Sequence, residues 1–190
     1  MADDIHIELD TSEADQRTVN LAKWLSPGQV ARAGASALNR ALRAGVTEGS
    51  RAIRDQLRVK ARAVRDRIDT ERATPANLVA VINFDYTPLP LKEFGRPYQT
   101  RQGVKVTITK GGGRVLIPDS FISPDIGGHV VRRAKEGDGL VPRTPVHILP
   151  GPSIGSQLED ARPRIEARTN EVMQERIAHE LEWRAERANR

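Results

Sequence analysis

The chain reads PGQVARAGASALNRALRAGVTEGSRAIRDQL at residues 27–57, with an apolar side chain at every third or fourth position. This spacing is the period of an α-helix with one buried face. Pro27 suits the first helical position, and Ser26 is a suitable capping residue before it. A helix of about 31 residues would be roughly 46 Å long. Its apolar stripe comprises Ala31, Ala35, Leu38, Leu42, Val46, Ile53 and Leu57.

Alanine and glycine are frequent in this helix and keep it slim. A partner can approach a slim helix closely, although each glycine costs about 1 kcal/mol of helix propensity relative to alanine. The pattern therefore leaves open whether the helix is continuous through Gly45 and Gly49. We expect Leu38, Leu42 and Ile53 to hold the helix in place by packing.

Length and composition favour one domain with a modest core. The chain has 190 residues, of which 38% are hydrophobic and 4% aromatic. A core this poor in aromatic residues is small, or is completed by neighbouring subunits. The net charge is +5, from 30 basic and 25 acidic residues that are interspersed. We expect an acidic N-terminal arm over residues 1–25 and a single domain over residues 26–190.

Several classes of protein are disfavoured. Without cysteine, the chain has no disulfide, no thiolate metal site and no cysteine nucleophile. The lack of cysteine is compatible with a product of the cytoplasm. No apolar run approaches the ~18 residues of a membrane span. The N-terminus, MADDIHIELD, is acidic, whereas a secretory signal begins with basic residues.

The first residues are acidic and weakly patterned. Residues 1–16 contain six acidic side chains and no lysine or arginine. Ile5, Ile7 and Leu9 alternate with polar residues, which predicts a short strand or a terminus that orders on meeting a partner. A short helix ending near Leu25 follows.

The segment 51–72 is rich in arginine, and a thin apolar stripe between its charges predicts a second helix over residues 60–70. Two interpretations stay open. The segment is either a solvated face with salt bridges of about 0.2–0.5 kcal/mol each, or a basic strip that faces DNA or an acidic neighbour.

The helical period ends at Pro75, and β-branched residues become frequent. In the segment 87–95, TPLPLKEFG, the side chains of Leu89, Leu91 and Phe94 are expected to anchor a bent stretch on the sheet. The glycines of KGGG at residues 110–113 predict a hairpin turn. Strands are predicted over residues 78–84, 104–109, 114–117, 129–134 and 145–149, with a loop over 135–143.

The C-terminal segment is a second long helix by its period. It is expected to begin near Ser156 or Asp160, with Pro163 in its first turn. The predicted fold class is α+β: a long N-terminal helix, a second helix, a small and mostly antiparallel sheet of four to five strands, and a long C-terminal helix.

Motifs for catalysis and cofactor binding are weak. KGGGRV has the glycines of a phosphate-binding loop, but that loop needs GxxxxGK[ST] leading into a helix, and here a strand is predicted. The histidines at 6, 129, 147 and 179 have no metal-ligand spacing. Neither GxSxG nor a supported pair of carboxylates is present. We therefore expect no enzymatic activity, no catalytic residue, no metal and no cofactor.

Three stretches together resemble the minor tail protein Z family of long-tailed bacteriophages and prophages. The first is ALNRAL at residues 37–42, followed by RVKARAVRDRI. The second is GGGRVLIPDSFIS at residues 111–123, and the third is PVHILPGPSIGSQLED at residues 145–160. They occur in the same order as in the family, and the similarity covers roughly residues 25–185.

This resemblance implies a structural virion protein that completes the tail or joins head to tail. Such proteins are made in the bacterial host cytoplasm and act in the tail–neck region. They resemble the head–tail joining proteins, which form rings that are commonly sixfold. The implied partners are further copies of the chain, the tail terminator or tail tube, head–tail connector proteins and the genomic DNA in the lumen, bound without sequence preference. The alternative is a basic nucleic-acid-binding accessory protein of DNA packaging.

Contact surfaces are the functional residues that the sequence offers. The acidic N-terminus and the basic segment 51–72 could pair between adjacent subunits. Cationic side chains of that segment and of the glycine hairpin could reach a neighbouring subunit or the DNA path. These candidates are Arg58, Lys60, Arg62, Arg65, Lys105, Lys110 and Arg114.

Overall fold

The computed structural model describes residues 5–8, 16–136, 139–140 and 145–188. Its residues fall into two compact units. The first lies within Met1–Gly49, Arg67–Asp85 and Asp160–Arg190. The second lies within Ser50–Asp66 and Tyr86–Glu159. The expected boundary at residue 25, and a single domain beyond it, stay predictions.

Apart from a short first strand, the described chain begins and ends with helices. They are α1 (Gln16–Lys23), α2 (Pro27–Gln56), α3 (Ala61–Arg65) and α4 (Gly155–Ala188). The two predicted long helices are confirmed, and α2 is unbroken through Gly45 and Gly49. At its start, Gln29 Oε1 accepts hydrogen bonds from Ser26 N and Ser26 Oγ, at 2.9 and 3.0 Å.

Three strands form the antiparallel sheet of the first unit. They are β1 (Ile5–Glu8), β2 (Ile68–Glu71) and β3 (Val79–Phe84). Strand β3 lies in the centre, with Ile82 opposite Ile5 of β1 and Thr70 of β2. Its central residues Ala80, Val81 and Ile82 are all buried, which explains why the sequence of β3 is almost continuously apolar.

Most of the remaining strands belong to two further antiparallel sheets, both in the second unit. One contains β4 (Tyr98–Thr100), β5 (Gly103–Val106) and β6 (Val115–Pro118), with β5 central. The other contains β7 (Ser120–Ser123), β8 (His129–Arg133) and β11 (Val146–Ile148), with β8 central. A two-stranded ribbon pairs β9 (Lys135–Glu136) with β10 (Gly139–Leu140).

The small residues of α2 allow α4 and the sheet to approach within the first unit. A Cβ atom added to Gly45 would lie 2.8 Å from Ile82 Cδ1 and 2.8 Å from Thr169 Oγ1. Gly49 faces Ile165 and Phe84 in the same way. The slim face of the helix is thus used inside the chain, against its own C-terminal helix and strand β3.

The α+β class and the antiparallel pairing are confirmed, but the strands do not share one sheet of four to five members. Asp119 is one reason, because its left-handed backbone (φ 58°) turns the chain directly between β6 and β7. Strand β6 stays paired with β5, while β7 pairs with β8. The short strands β4 and β7 were not predicted from the sequence.

Two local predictions were wrong. The helix expected over residues 60–70 ends at Arg65, and Ile68–Glu71 pairs with β3 instead. Backbone hydrogen bonds to a buried strand outweigh a weak helical period. Pro163 lies inside α4 and not in its first turn, since the helix already begins at Gly155. The loop predicted over 135–143 lies partly outside the described residues, and its described part contains β9 and β10.

Candidate anion-binding cleft

An extended linker between α2 and α3 forms the base of a cleft in the second unit. Leu57 and Val59 are buried, whereas Arg58 and Lys60 are exposed, so the linker alternates like a strand. The backbone of the linker is hydrogen-bonded to two other segments of the unit. Arg58 N donates to Ile108 O at 2.7 Å, and Gly95 N donates to Arg58 O at 2.6 Å. The cations are therefore held on a fixed backbone.

The neighbouring segment is fixed by a buried aromatic residue. Phe94 is fully buried and Leu89 and Leu91 nearby are buried, as expected of the three predicted anchors. Gly95 follows with a left-handed backbone (φ 44°), and a Cβ atom there would lie 2.8 Å from Thr107 O. A side chain at position 95 would thus push the segment away from Thr107. Glycine at this position brings Arg96 to the same cleft.

The cleft encloses about 400 Å³ and is predominantly cationic. Of its lining side chains in the described part of the chain, four are basic, one is the hydroxyl-bearing Thr107, and none is acidic. The described residues that line it are Arg58, Val59, Lys60, Gly95, Arg96, Thr107 and Arg114. A concave site with this set of donors attracts anions.

The described residues neutralise the cations of the cleft only partly. Lys60 Nζ lies 3.1 Å from Glu93 Oε2. Among the residues that the structure describes, Arg58, Arg96 and Arg114 form no ion pair with a carboxylate. The guanidinium of Arg114 instead lies 5.0 Å from the ring centroid of Tyr98, a cation–π distance. Within the described residues, three arginines of the cleft thus have no carboxylate partner.

The structure divides the seven cationic candidates, all of which lie in the second unit. Arg58, Lys60 and Arg114 line the cleft together. Arg62 and Arg65 are exposed on α3, where Arg62 Nε lies 3.6 Å from Asp66 Oδ2. Lys105 is half-buried in β5, opposite Tyr98 and Leu116. Lys110 Nζ lies 3.6 Å from Asp55 Oδ1.

Arg96 is the one cation of the described cleft lining that is not among the seven cationic candidates from the sequence. The local signal was present, because Arg96 follows a buried anchor and a glycine and directly precedes Pro97-Tyr98. The sequence could not predict that the linker 57–60 pairs with the segments around residues 94 and 108. This pairing brings the arginines together.

The three predicted packing residues are buried in the structure: Leu38 is 0%, Leu42 3% and Ile53 0% exposed. Their contribution to stability stays a prediction. In the described part of the chain, no three histidine or carboxylate side chains converge as metal ligands would. No described helix is both long and apolar enough to cross a bilayer.

An α+β chain with long terminal helices and an exposed cationic cleft is suited to contact with other macromolecules. Comparison with protein families defines its class further. The chain matches the family described as prophage minor tail protein Z (GPZ) over residues 14–188. It therefore belongs to the prophage minor tail protein Z family, whose members are structural proteins of phage tails.

The family match confirms the resemblance drawn from the three sequence stretches. No curated protein matches the chain significantly. No solved structure matches it significantly either.

Proposed function

We propose that this minor tail protein acts at the junction of tail and neck, where it completes the tail or joins it to the head. In this proposal it is a subunit of a ring around the DNA path, with sixfold symmetry as the expected arrangement. The match to the minor tail protein Z family over residues 14–188 carries the proposal.

The partners follow from this position. They are copies of the chain within the ring, the tail terminator or tail tube on one side, and head–tail connector proteins on the other. Exposed aromatic residues support a protein that is covered by neighbours, since Trp24 is 84% and Trp183 45% exposed. Both tryptophans of the chain are thus available for subunit contacts.

Immunogold electron microscopy of phage particles tests the location. An antibody against this chain should label the head–tail junction, and mass spectrometry of purified particles should detect the chain. Label along the tail, at its distal end, or on no part of intact particles that also lack the chain would contradict the proposal. Particles from a strain without the gene are the control for antibody specificity.

The basic cleft favours one alternative, a nucleic-acid-binding accessory protein of DNA packaging. Such a protein would bind DNA with an affinity that falls steeply with salt, because bound counterions are released. It would act before the particle is complete and would be absent from finished particles. Mass spectrometry of those particles therefore separates the two functions.

A further inference from the structure

We infer that the cleft lined by Arg58, Lys60, Arg96 and Arg114 binds the phosphodiester backbone of DNA without sequence preference. This inference deepens the proposed function and rests on it, since a ring at the neck would enclose the DNA path. It assigns the DNA contact to one cleft and adds Arg96 to the cationic residues expected to contact DNA.

The charge of the cleft indicates an anionic ligand. Among the described residues, four cations and no acidic side chain line it; the adjacent Glu93 pairs with Lys60, which leaves a net charge of about three positive. Three of the four cations are arginines, whose planar guanidinium groups match the oxygens of a phosphate and are more weakly hydrated than an ammonium.

The rigidity of the cleft supports a built site over a chance cluster of surface charges. Arg58 and Lys60 belong to a linker whose backbone is hydrogen-bonded to two other segments, at Ile108 and Gly95, and Arg96 lies two residues after the fully buried Phe94. Arg114 is held against the ring of Tyr98. Because the backbone of the cleft is already ordered, less conformational entropy is lost when an anion binds.

The lining also indicates that the cleft does not recognise the base sequence. Direct recognition of bases inserts a helix or a β-ribbon into a groove of the duplex, whereas these arginines line a concave cleft of the protein. An open concave surface of cations contacts phosphates and orients the nucleic acid without discriminating its sequence.

An acidic peptide is the other possible occupant, and the chain carries one at its N-terminus. The structure favours DNA, because part of that segment, Ile5–Glu8, is already paired with β3 in the first unit. Occupation of the cleft itself by this peptide is therefore an outcome for the test to exclude, as distinct from pairing of the N-terminus with those basic residues of segment 51–72 that do not line the cleft.

The test is DNA binding by the purified full chain, measured by fluorescence anisotropy with short duplexes of two unrelated sequences between about 50 and 200 mM salt. The double variant Arg58→Gln, Arg96→Gln should lower the slope of log K against log salt by about 1.8, or ~0.9 for each lost phosphate contact, equally for both sequences. The matched control is Arg40→Gln, Arg43→Gln, which removes two exposed arginines of α2 that do not line the cleft. This control should leave the slope unchanged.

A second variant, Arg58→Lys, Arg96→Lys, keeps the charge and should retain most of the slope, which separates lost contacts from misfolding. Equal losses in the cleft variant and the control would overturn the inference, as would absence of DNA binding by the unaltered chain. Specific binding of a peptide of residues 1–16, abolished by Arg58→Gln, Arg96→Gln while DNA binding persists, would assign the cleft to a subunit contact. Inorganic phosphate as sole competitor should compete only weakly, because it occupies a single phosphate position.

The location experiment is independent of these titrations. If the chain is found at the head–tail junction but has no affinity for DNA, the proposed function stands and the cleft assignment is overturned. Cleft-dependent DNA binding by a chain that is absent from particles would do the reverse.

Discussion

Asn39 shows how a single side chain replaces a missing backbone partner. Its Nδ2 donates to Ala73 O at 2.8 Å, and Ala73 N donates to its Oδ1 at 3.1 Å. Ala73 is 5% exposed, so neither of its backbone groups is well placed to bond water instead. Asn39 lies in the stretch ALNRAL, and this pair gives that stretch a structural role within the first unit.

Replacing Asn39 by alanine should leave the amide and carbonyl of Ala73 without these partners. We expect a loss of about 1–3 kcal/mol in the free energy of unfolding, the usual cost of buried polar groups left unsatisfied. Urea denaturation followed by circular dichroism measures it. The adjacent Arg40→Ala, on the exposed side of the helix, should cost little, and an equal loss in both variants would contradict this explanation.

Glu180 should make the stability of the first unit sensitive to acid. Partial burial opposes its ionisation, but hydrogen bonds from Arg184 and from Ser36, whose Oγ lies 2.7 Å from Oε1, outweigh burial and lower the pKa of Glu180. Since the folded-state pKa lies below the unfolded-state pKa, the stabilisation is present above the unfolded value. It is lost as the pH falls through the folded value.

The variant Glu180→Gln should therefore be less stable than the unaltered chain at neutral pH, and the difference should shrink as the pH falls below the ordinary range of glutamate. Thermal unfolding across a pH series measures this convergence. Glu175→Gln, an exposed change on the same helix, is the control. A constant difference between Glu180→Gln and the unaltered chain at all pH values would refute the assignment.

At the scale of elements, α2 is the packing centre that its period predicted. Leu38 is fully buried on this helix. Replacing Leu38 by alanine should destabilise the chain by ~2–5 kcal/mol, through lost burial and the cavity left behind. Denaturant unfolding measures the change, with the exposed Arg43→Ala as a control on the same helix. A loss well below 1 kcal/mol would mean that Leu38 does not contribute to packing as expected.

The elements differ in how far their sequence predicts them. Helix α2 and strand β3 carry strong local patterns, and both were predicted to within one or two residues. Strand β2 carries the sequence IDTE, whose pattern is weak, and its conformation depends on pairing with β3. Pairing joins residues far apart in the chain, so a local period does not report it.

At the scale of the whole molecule, two segments stand out from an otherwise interspersed pattern of charge: the acidic N-terminus and the basic segment 51–72. The acidic N-terminus and the basic segment 51–72 are expected to attract each other between subunits of the proposed ring. Neutralising Asp3, Asp4, Asp10, Glu13 and Asp15 as amides should weaken assembly and make it less sensitive to salt, because salt screens exposed charges beyond about 10 Å at 0.1 M. Glu8 is kept, since it belongs to β1.

Sedimentation velocity at low and high salt measures this assembly. Amide substitution of five exposed acids on α4 is the control for net charge alone, at Glu159, Asp160, Glu166, Glu175 and Glu186. Assembly that is unchanged in the N-terminal variant, or equally weakened in the control, would count against pairing between these segments.

The sequence by itself determined the two long helices, the central strand β3, the α+β class and the family. These features depend on residues three or four apart, on short β-branched runs and on motifs in a fixed order, all of which can be recognised in the sequence. Only the tertiary structure decided that Gly45 and Gly49 face α4 and β3, that the strands divide between separate sheets, and that Arg96 joins Arg58 and Arg114 around one cleft. The physical reason is that strand pairing, close packing and clustering of charge join residues distant in sequence, and their free energies arise only when the chain has folded.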